Sequence, residues 1–257
     1  MVRAFTNIEG RVALVTGAAG DLGAAITGQL LEAGARVAVL DAVGEALRAR
    51  YRSAADTSDH RLLMLSPCDI SDPSQVDAAV RETVAGLGGL QMLVNNAAVI
   101  TPRGPIGDLD LASWQRALEV NVTGSWLMAR ASIPIMAKAG GGVVLNVASQ
   151  LGHVVAPGNG VYGMTKAALI AMARAIAVDH AASGIRGLSL SPGAIMTSRL
   201  TDRYGSEGAV NAALARHYLA GEIGTVNEVA QAALFLLNGG RFLNGSDLLI
   251  DGGYTAV

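Results

Sequence analysis

The chain has 257 residues, which is enough for one large α/β domain or two small ones. Hydrophobic residues make up 51% and charged residues 16%, with 32 glycines, a composition typical of a parallel sheet buried on both faces. The formal net charge of −2 excludes the basic footprint of a nucleic-acid-binding protein.

The sequence also carries signals about cellular location. A single cysteine, Cys68, excludes an internal disulfide and fits a reducing cytoplasm. Arg3, Glu9 and Arg11 interrupt the N-terminal residues, so we expect no signal peptide. Arg174 breaks the best candidate for a membrane span, which needs roughly 18 apolar residues. We therefore expect a cytoplasmic protein with no membrane partner, no nucleic-acid partner and no metal site.

The first predicted elements are a strand, a glycine-rich turn, a helix and a second strand. They cover residues 12–16, 17–23, 24–33 and 36–40. A glycine-rich turn between strand and helix lets backbone amides approach a pyrophosphate at the helix N-terminus. Asp41 ends the second strand, where a carboxylate can accept from ribose hydroxyls. The alternative is that Asp41 only caps a turn.

Helices and strands alternate in the next part of the chain. We predict helices at 43–53 and 73–87, and strands at 62–65 and 92–94. Asp69 follows the third strand, and either it or Asp72 can cap the next helix. Asn95 and Asn96 end the fourth strand, where they can brace the central strands or line a cofactor site.

A long helix then runs from a cap at Asp110 to about residue 139. Its middle carries Asn121 between two valines. A surface position is the usual explanation for a helical asparagine, whereas a buried one needs hydrogen-bond partners such as an ordered water.

The chemistry of the chain is concentrated after the fifth predicted strand, at 143–148. Ser149 follows that strand, and Tyr162 and Lys166 are four residues apart, on one face of a predicted helix. A phenol has an unperturbed pKa of about 10, and a fixed cation beside it lowers that value. Lowering it to near 7 requires about 4 kcal/mol, which one lysine and a second cation, such as an oxidised nicotinamide, can share. The alternative is a solvated helix face.

The last third of the chain contains two more strands, at 186–191 and 247–250. Residues 196–222 hold no clean strand and are predicted to form a mobile helical lid over the substrate. Thr225 and Glu228 form a capping box that opens a helix ending near residue 237. No linker divides the chain, so we predict a single domain over residues 1–257.

Taken in order, these motifs resemble the short-chain dehydrogenase/reductase family, in its one-domain subfamily, over essentially the whole chain. Alternation of helix and strand itself favours a doubly wound parallel sheet. The resemblance implies an α/β fold with a Rossmann-type, seven-stranded parallel sheet in the order 3-2-1-4-5-6-7 and helices on both faces. It also implies a homotetramer.

The resemblance implies a catalytic role for four residues. Tyr162 exchanges a proton with the substrate hydroxyl, and Lys166 lowers the Tyr162 pKa and holds the nicotinamide ribose. Ser149 orients the substrate oxygen, and Asn121 holds a water that relays protons from Lys166. The residues implied to bind the cofactor are Gly17, Asp21, Leu22, Gly23, Asp41, Asp69, Ile70, Asn96, Ala97, Tyr162, Lys166, Pro192, Gly193, Ile195 and Thr197.

The family's turn pattern, Thr-Gly-x-x-x-Gly-x-Gly, is matched at Thr16, Gly17 and Gly23, but Asp21 stands at the middle glycine. Aspartate tolerates a left-handed backbone better than most residues. Its carboxylate would disfavour a nearby pyrophosphate unless it points to solvent. Ala98 also departs from the family's Asn-Asn-Ala-Gly.

The predicted activity is hydride transfer between NAD and a secondary alcohol, giving a ketone, with a polyol, a sugar or a cyclic or aliphatic hydroxy compound as substrate. Asp41 favours NAD over NADP, and Gly20 and Ala42 are not the basic residues that NADP-using relatives often carry there. An enoyl reductase and a non-catalytic binding protein are the alternatives. The former would place six residues between Tyr and Lys and lack the serine. Candidate substrate contacts are Gln150, His153, Asn159, Met196 and Tyr204.

Overall fold

The computed structural model describes residues 8–52, 60–65 and 67–256. Arg3 and Ser53, used above for the N-terminus and the second helix, lie outside these ranges. A parallel sheet of seven strands forms the centre, in the order β3-β2-β1-β4-β5-β6-β9. This confirms the predicted doubly wound order. The strands of this sheet are β1 Val12–Thr16, β2 Arg36–Leu40, β3 Leu62–Met64, β4 Met92–Asn95, β5 Gly142–Val147, β6 Ile185–Pro192 and β9 Asp247–Ile250.

Helices cover both faces of this sheet. They are α1 Asp21–Glu32, α2 Gly44–Arg50, α3 Pro73–Leu87, α4 in the consecutive segments Leu111–Ala117, Leu118–Gly124 and Ser125–Lys138, α5 Gly160–His180, α6 Ser198–Tyr204, α7 Glu207–Leu214 and α8 Val226–Asn238. Helices α1 and α8 share a hydrophobic cluster on one face, and α3, α4 and α5 share a cluster on the other.

The strands are apolar on both sides because the sheet is covered on both sides. In β1, Ala13 and Val15 belong to the cluster under α1, whereas Val12 and Leu14 belong to the cluster under α3. All four are fully buried. Each buried Val or Leu side chain contributes about 1.5–3 kcal/mol of stabilisation, so the apolar runs in the sequence carry the fold.

Helix boundaries follow the predicted signals. Asp72, not Asp69, caps α3, since its carboxylate accepts from the amides of Ser74 and Gln75. The capping box at Thr225 and Glu228 is present in both directions. Each of these local patterns is complete within a few residues of sequence, which is why the sequence predicts them correctly.

Two features of the helices differ from the sequence-based expectation. Helix α4 is not regular: residues Leu118–Gly124 are π-helical and contain Asn121. Among the described residues, α5 with the turn after it is long and apolar enough to span a membrane, but half of that stretch is buried in the protein. It is a core helix that packs against β5 and β6.

A small two-stranded sheet organises the segment after β6. Strand β7 (Ile195–Met196) pairs in parallel with β8 (Gly224–Thr225), and α6 and α7 lie between them in sequence. The helical character of the predicted lid is confirmed, whereas its mobility stays a prediction. This segment stands at the carboxyl ends of the central strands, where open α/β sheets bind their ligands.

One packing contact gives a test of the fold. A Cβ at Gly187 in β6 would overlap the carbonyl oxygen of Ala173 and approach the amide of Ala177 in α5 to 2.9 Å. Because backbone atoms cannot give way cheaply, we expect Gly187→Ala to lower the free energy of unfolding by at least about 2 kcal/mol. Gly28 in α1 faces open space. Gly28→Ala should instead raise the free energy of unfolding by about 0.5–1 kcal/mol. Urea unfolding of both variants measures the two changes. A Gly187→Ala protein with the wild-type free energy of unfolding would contradict the close contact between β6 and α5.

Candidate active site

A cavity of about 650 Å³ opens at the carboxyl ends of the central strands. It brings together residues from the turn after β1, the ends of β2, β4 and β5, helix α5 and the segment after β6. The predicted site residues that line it are Gly17, Asp21, Leu22, Gly23, Asp41, Asp69, Ile70, Asn96, Ala97, Ser149, Tyr162, Lys166, Pro192, Gly193, Ile195 and Thr197.

The glycine-rich turn is held tightly against β4. Gly17 has a φ of +63°, and a Cβ there would lie 2.7 Å from the Cα of Ala97. The side-chain amide of Asn96 donates to the carbonyl oxygens of Thr16 and Gly17 at 3.0 and 3.1 Å. Gly20 begins α1 without a side-chain cap, so the first amides of that helix remain available to an anion.

Asp41 fastens the same turn and also lines the cavity. Its carboxylate accepts from the amide of Ala19 at 3.2 Å and from the amide of Val43 at 3.2 Å. No ion pair engages Asp41 within the described ranges. Asp41 therefore caps the turn, as the alternative predicted, and its carboxylate also borders the cavity.

Asp69 borders the cavity beside a cation. The guanidinium of Arg116 donates to its carboxylate at 3.0 Å. Burial acts to raise the pKa of Asp69, but hydrogen bonds from Ser71 and then from Arg116 outweigh it and lower the pKa overall. The Asp69 charge is thereby compensated within the protein.

Ser149, Tyr162 and Lys166 meet at one end of the cavity. The Lys166 ammonium donates to the carbonyl oxygen of Val147 at 2.7 Å and lies 5.6 Å from the centroid of the Tyr162 ring. Lys166 is only 2% exposed. The strand end thus fixes the ammonium on the tyrosine's side of the helix, and the Ser149 hydroxyl lies two residues further along the same backbone.

Asn121 is fully buried and does not line the cavity. Its amide oxygen accepts from the Val99 amide at 2.8 Å, and its amide nitrogen donates to the Val99 carbonyl at 3.0 Å and to the Thr165 hydroxyl at 3.1 Å. It therefore ties the segment after β4 to the residue next to Lys166. This is a positioning role; the predicted water relay stays a prediction.

Comparisons with known proteins match this architecture. A family model described as Enoyl-(Acyl carrier protein) reductase matches residues 17–255. The chain is 37% identical to cis-4-hydroxycyclohexanecarboxylate dehydrogenase of Sinomonas cyclohexanicum, covering 96% of this chain and 97% of the relative. It is 34% identical to D-threitol dehydrogenase of Mycolicibacterium smegmatis, covering 97% and 94%. A crystal structure of a short-chain type dehydrogenase/reductase from Mycobacterium marinum superposes with a TM-score of 0.87 at 31% identity, covering 98% of each chain.

The chain belongs to the short-chain dehydrogenase/reductase family. Members of this family generally use a nicotinamide cofactor, NAD or NADP. The cavity fits such a cofactor, because a glycine-rich helix start, a strand-end carboxylate and the Tyr162–Lys166 pair lie along one continuous wall.

The electrostatics of the catalytic pair differ from the sequence-based expectation for this family. Tyr162 keeps part of its surface open to the cavity, yet burial raises its pKa to about 12, and the positive charge of Arg199 offsets this only in part. Burial, with a smaller contribution from Arg199, lowers the pKa of Lys166 to about 8. In the free protein the Tyr162 pKa is therefore raised rather than lowered, because desolvation by burial is the largest contribution.

The expected substrate contacts lie elsewhere, since none of the five lines the cavity. Gln150 is buried and donates to the Tyr218 hydroxyl at 3.1 Å, and His153 pairs with Asp247 at 2.8 Å. The Asn159 side chain donates to the carbonyl of Pro157, Met196 lines a neighbouring groove, and Tyr204 packs in a cluster within the lid. Gln150, His153 and Asn159 were expected from their place between Ser149 and Tyr162, and Met196 and Tyr204 from the segment after β6; a substrate contact for these residues stays a prediction.

Sequence reasoning also missed residues that the structure brings to the site. Arg116 and Arg199 line the cavity, and Thr165 holds Asn121. Arg50 bonds the glycine-rich turn from α2 through the carbonyl of Ala19, at 3.1 Å. Arginines in helices are common on surfaces, so no local pattern distinguishes these from solvated side chains.

The buried ammonium of Lys166 predicts a pH-dependent cost in stability. Between pH 8 and 10.5 the unfolded chain binds a proton that the native state releases, so the free energy of unfolding rises with pH across this window. Lys166→Met removes the buried charge and should stabilise the cofactor-free protein by about 1–3 kcal/mol at pH 7, and by much less at pH 10. Thermal unfolding at both values measures this.

Lys138→Met is the matched control, because Lys138 is exposed on α4. It should change stability little at either pH. An equal effect of Lys166→Met at pH 7 and pH 10 would contradict the burial of a charged ammonium.

Proposed function

We propose that this protein is an NAD-dependent oxidoreductase that oxidises a secondary alcohol to a ketone and catalyses the reverse reaction. The observation that carries the proposal is one cavity that holds Ser149, Tyr162 and Lys166 together with the carboxylate of Asp41. Three residues separate Tyr162 from Lys166, and Ser149 is present, which favours alcohol chemistry over the enoyl reductase alternative. The named relatives act on hydroxyl compounds, which supports the same assignment.

In the oxidation, Tyr162 accepts the hydroxyl proton of the alcohol as a general base. The Ser149 hydroxyl hydrogen-bonds the substrate oxygen and keeps it beside the phenol. A nicotinamide cofactor held along this cavity would supply the hydride acceptor, and the positive charge of its oxidised form would favour the phenolate of Tyr162. In the reduction, Tyr162 returns the proton to the carbonyl oxygen.

The pKa of Tyr162 decides when it can act as a base. Burial holds this pKa at about 12, so proton acceptance near neutral pH requires positive charge around the phenol. Lys166 is fixed beside the ring, and Arg199 lines the same cavity. Both cations favour the phenolate, and their effect grows as water leaves the site.

The residues that would hold the cofactor follow from the cavity wall. The amides at the start of α1 would hold the diphosphate, and Asp41 would accept from the ribose hydroxyls. Ile195 and Thr197 would contact the carboxamide, as the family resemblance implies. Arg116, on the same wall, is already paired with Asp69 and so does not offer a free partner for a 2′-phosphate.

For the substrate we propose a small secondary alcohol, either cyclic or a polyol. The relatives named for a hydroxycyclohexanecarboxylate and for threitol support both types. A panel of such alcohols, assayed by the absorbance of reduced nicotinamide, tests the function directly. No turnover of any secondary alcohol, with reduction of an enoyl thioester instead, would overturn it. The homotetramer and the cytoplasmic location stay predictions.

Removal of the phenol oxygen tests the catalytic base. Tyr162→Phe keeps the ring and should retain the fold and NAD binding, while kcat falls by at least about 100-fold, the lower end of acid–base contributions. Tyr254→Phe is the control, because no hydrogen bond of its hydroxyl occurs within the described ranges. A Tyr162→Phe enzyme that keeps more than about a tenth of kcat would show that another group is the base.

Replacement of Asp41 tests the cofactor. A phosphate about 4 Å from this carboxylate is repelled by about 4 kcal/mol at an effective dielectric of ~20, which solvation reduces. We expect wild-type kcat/KM to favour NAD over NADP by roughly 10- to 1,000-fold. Asp41→Ala should lose most of that preference, mainly by losing NAD affinity.

Asp77→Ala, at an exposed carboxylate on α3, should leave the NAD preference unchanged. A wild-type enzyme that uses both cofactors equally, or an Asp41→Ala enzyme with the wild-type preference, would disprove the role of Asp41.

A further inference from the structure

Asp21 departs from the family's turn pattern, and its side chain makes three short hydrogen bonds. One carboxylate oxygen accepts from both the amide and the hydroxyl of Ser198 at 2.7 Å. The other accepts from the guanidinium of Arg50 at 2.7 Å. These contacts connect the first residue of α1, the last residue of α2 and the first residue of α6.

The backbone at Asp21 is ordinary, contrary to the sequence-based expectation. Within the described ranges, every residue with a positive φ is a glycine, and in this turn that residue is Gly17. The middle position of the pattern therefore does not need a left-handed residue here. A residue with a side chain can occupy position 21 without backbone strain.

Asp21 caps the N-terminus of α6, which the side chain of the preceding residue leaves uncapped. Thr197 precedes α6 and makes no side-chain cap hydrogen bond. The first amides of a helix have no partner within it, and a carboxylate is a favourable acceptor for them. Asp21 supplies this acceptor from 177 residues away in sequence.

The contact between Asp21 and Ser198 lies where the main cavity meets a neighbouring groove. Asp21 lines the main cavity together with Thr197, and it also lines the neighbouring groove together with Thr201. Ser198 directly follows β7 and Thr197, the segment implied to contact the nicotinamide. Ser198 lines the same cavity as Tyr162, so a shift at Ser198 changes the wall of the cavity that holds the phenol.

The same carboxylate stands at the helix start that would hold the diphosphate. Arg50 compensates its charge and also donates to the carbonyl of Ala19, in the turn itself. Burial acts to raise the pKa of Asp21, but the hydrogen bonds from Ser198 and then from Arg50 outweigh it, so the pKa is lowered and the carboxylate stays ionised at neutral pH.

We propose that Asp21 is a positioning residue for the reaction: it caps α6 from the glycine-rich turn and thereby fixes residues 195–198 against the cofactor wall. This inference rests on the proposed oxidoreductase function. The Asp21 carboxylate has two opposing effects. Its contact with Ser198 favours catalysis, whereas its negative charge disfavours a bound diphosphate.

Asp21→Asn tests both effects in the full-length protein. The amide keeps the size of the side chain but loses the charge, and with a single acceptor oxygen it cannot accept from both Ser198 and Arg50. We expect kcat for the best alcohol to fall at least about tenfold, since small displacements of positioned groups have large effects on rate. The Kd for NAD should fall rather than rise, by about twofold to tenfold, because Arg50 then adds uncompensated positive charge beside the diphosphate. Amide exchange in residues 198–201 should become faster without any ligand.

Two further variants separate the contacts. Arg50→Met leaves both Ser198 contacts in place, so at saturating NAD its kcat should fall less than that of Asp21→Asn, while the Kd for NAD rises, the opposite sign to Asp21→Asn. Asp110→Asn changes a carboxylate cap of the same kind, at the start of α4, and should alter neither value.

The outcomes are distinct. A kcat of Asp21→Asn within twofold of wild type would overturn the positioning role. In the same variant, a higher Kd for NAD together with a lower melting temperature would also overturn this role, because that combination shows that the glycine-rich turn has lost its structure. If the wild-type protein turns over no alcohol, the proposed function fails, while faster exchange at 198–201 in Asp21→Asn would still support the contact and unchanged exchange would refute it.

Discussion

Burial of the parallel sheet on both faces is the constraint on which the rest of this structure depends. Alternate residues of β1 enter opposite hydrophobic clusters, so Val12 to Val15 are apolar on both faces of the sheet. Several polar groups of the site stand at or just after strand ends, and in a parallel sheet all carboxyl ends lie at one edge. Asn95 ends β4, Asp41 directly follows β2, and Ser149 lies two residues after β5. The site is therefore a consequence of how the sheet is covered.

Buried amides hold this edge together. The side chain of Asn95 donates to the Ser125 carbonyl and to Asn146, and Asn146 donates to the Leu169 carbonyl in α5. These contacts span 3.0 Å each and lie in fully buried surroundings. Hydrogen-bonded polar groups stabilise a buried network, so these contacts hold β4 and β5 against the helix that carries Tyr162. Asn121 extends the same principle to the segment after β4.

Activity and stability oppose each other at the catalytic pair. Burial raises the pKa of Tyr162 to about 12 and lowers that of Lys166 to about 8, so burial shifts both groups toward their neutral forms relative to water. The ammonium has one protein acceptor at 2.7 Å. Catalysis needs the charged pair, and the desolvation that disfavours it in the free protein is the same desolvation that strengthens electrostatics during the reaction.

The sequence alone determined the features that depend on few neighbouring residues. Apolar runs predicted the strands, Thr225 and Glu228 predicted a capping box, and a four-residue spacing placed Tyr162 and Lys166 on one face of α5. The strand order followed from the family resemblance. It also predicted that Asp41 and Ser149 would border one site, since strand ends converge. The family was identifiable from the same motifs.

Only the tertiary structure decided which side chains meet when they are far apart in sequence. It paired Gln150 with Tyr218 and His153 with Asp247, made residues 118–124 π-helical and brought Arg199 to the wall. It also gave Asp21 its partners, Ser198 and Arg50, which no local pattern associates with a glycine-rich turn. The physical reason is that spacing and hydrophobic period fix the face on which a side chain emerges, whereas desolvation and pairing depend on all the elements that surround it in three dimensions.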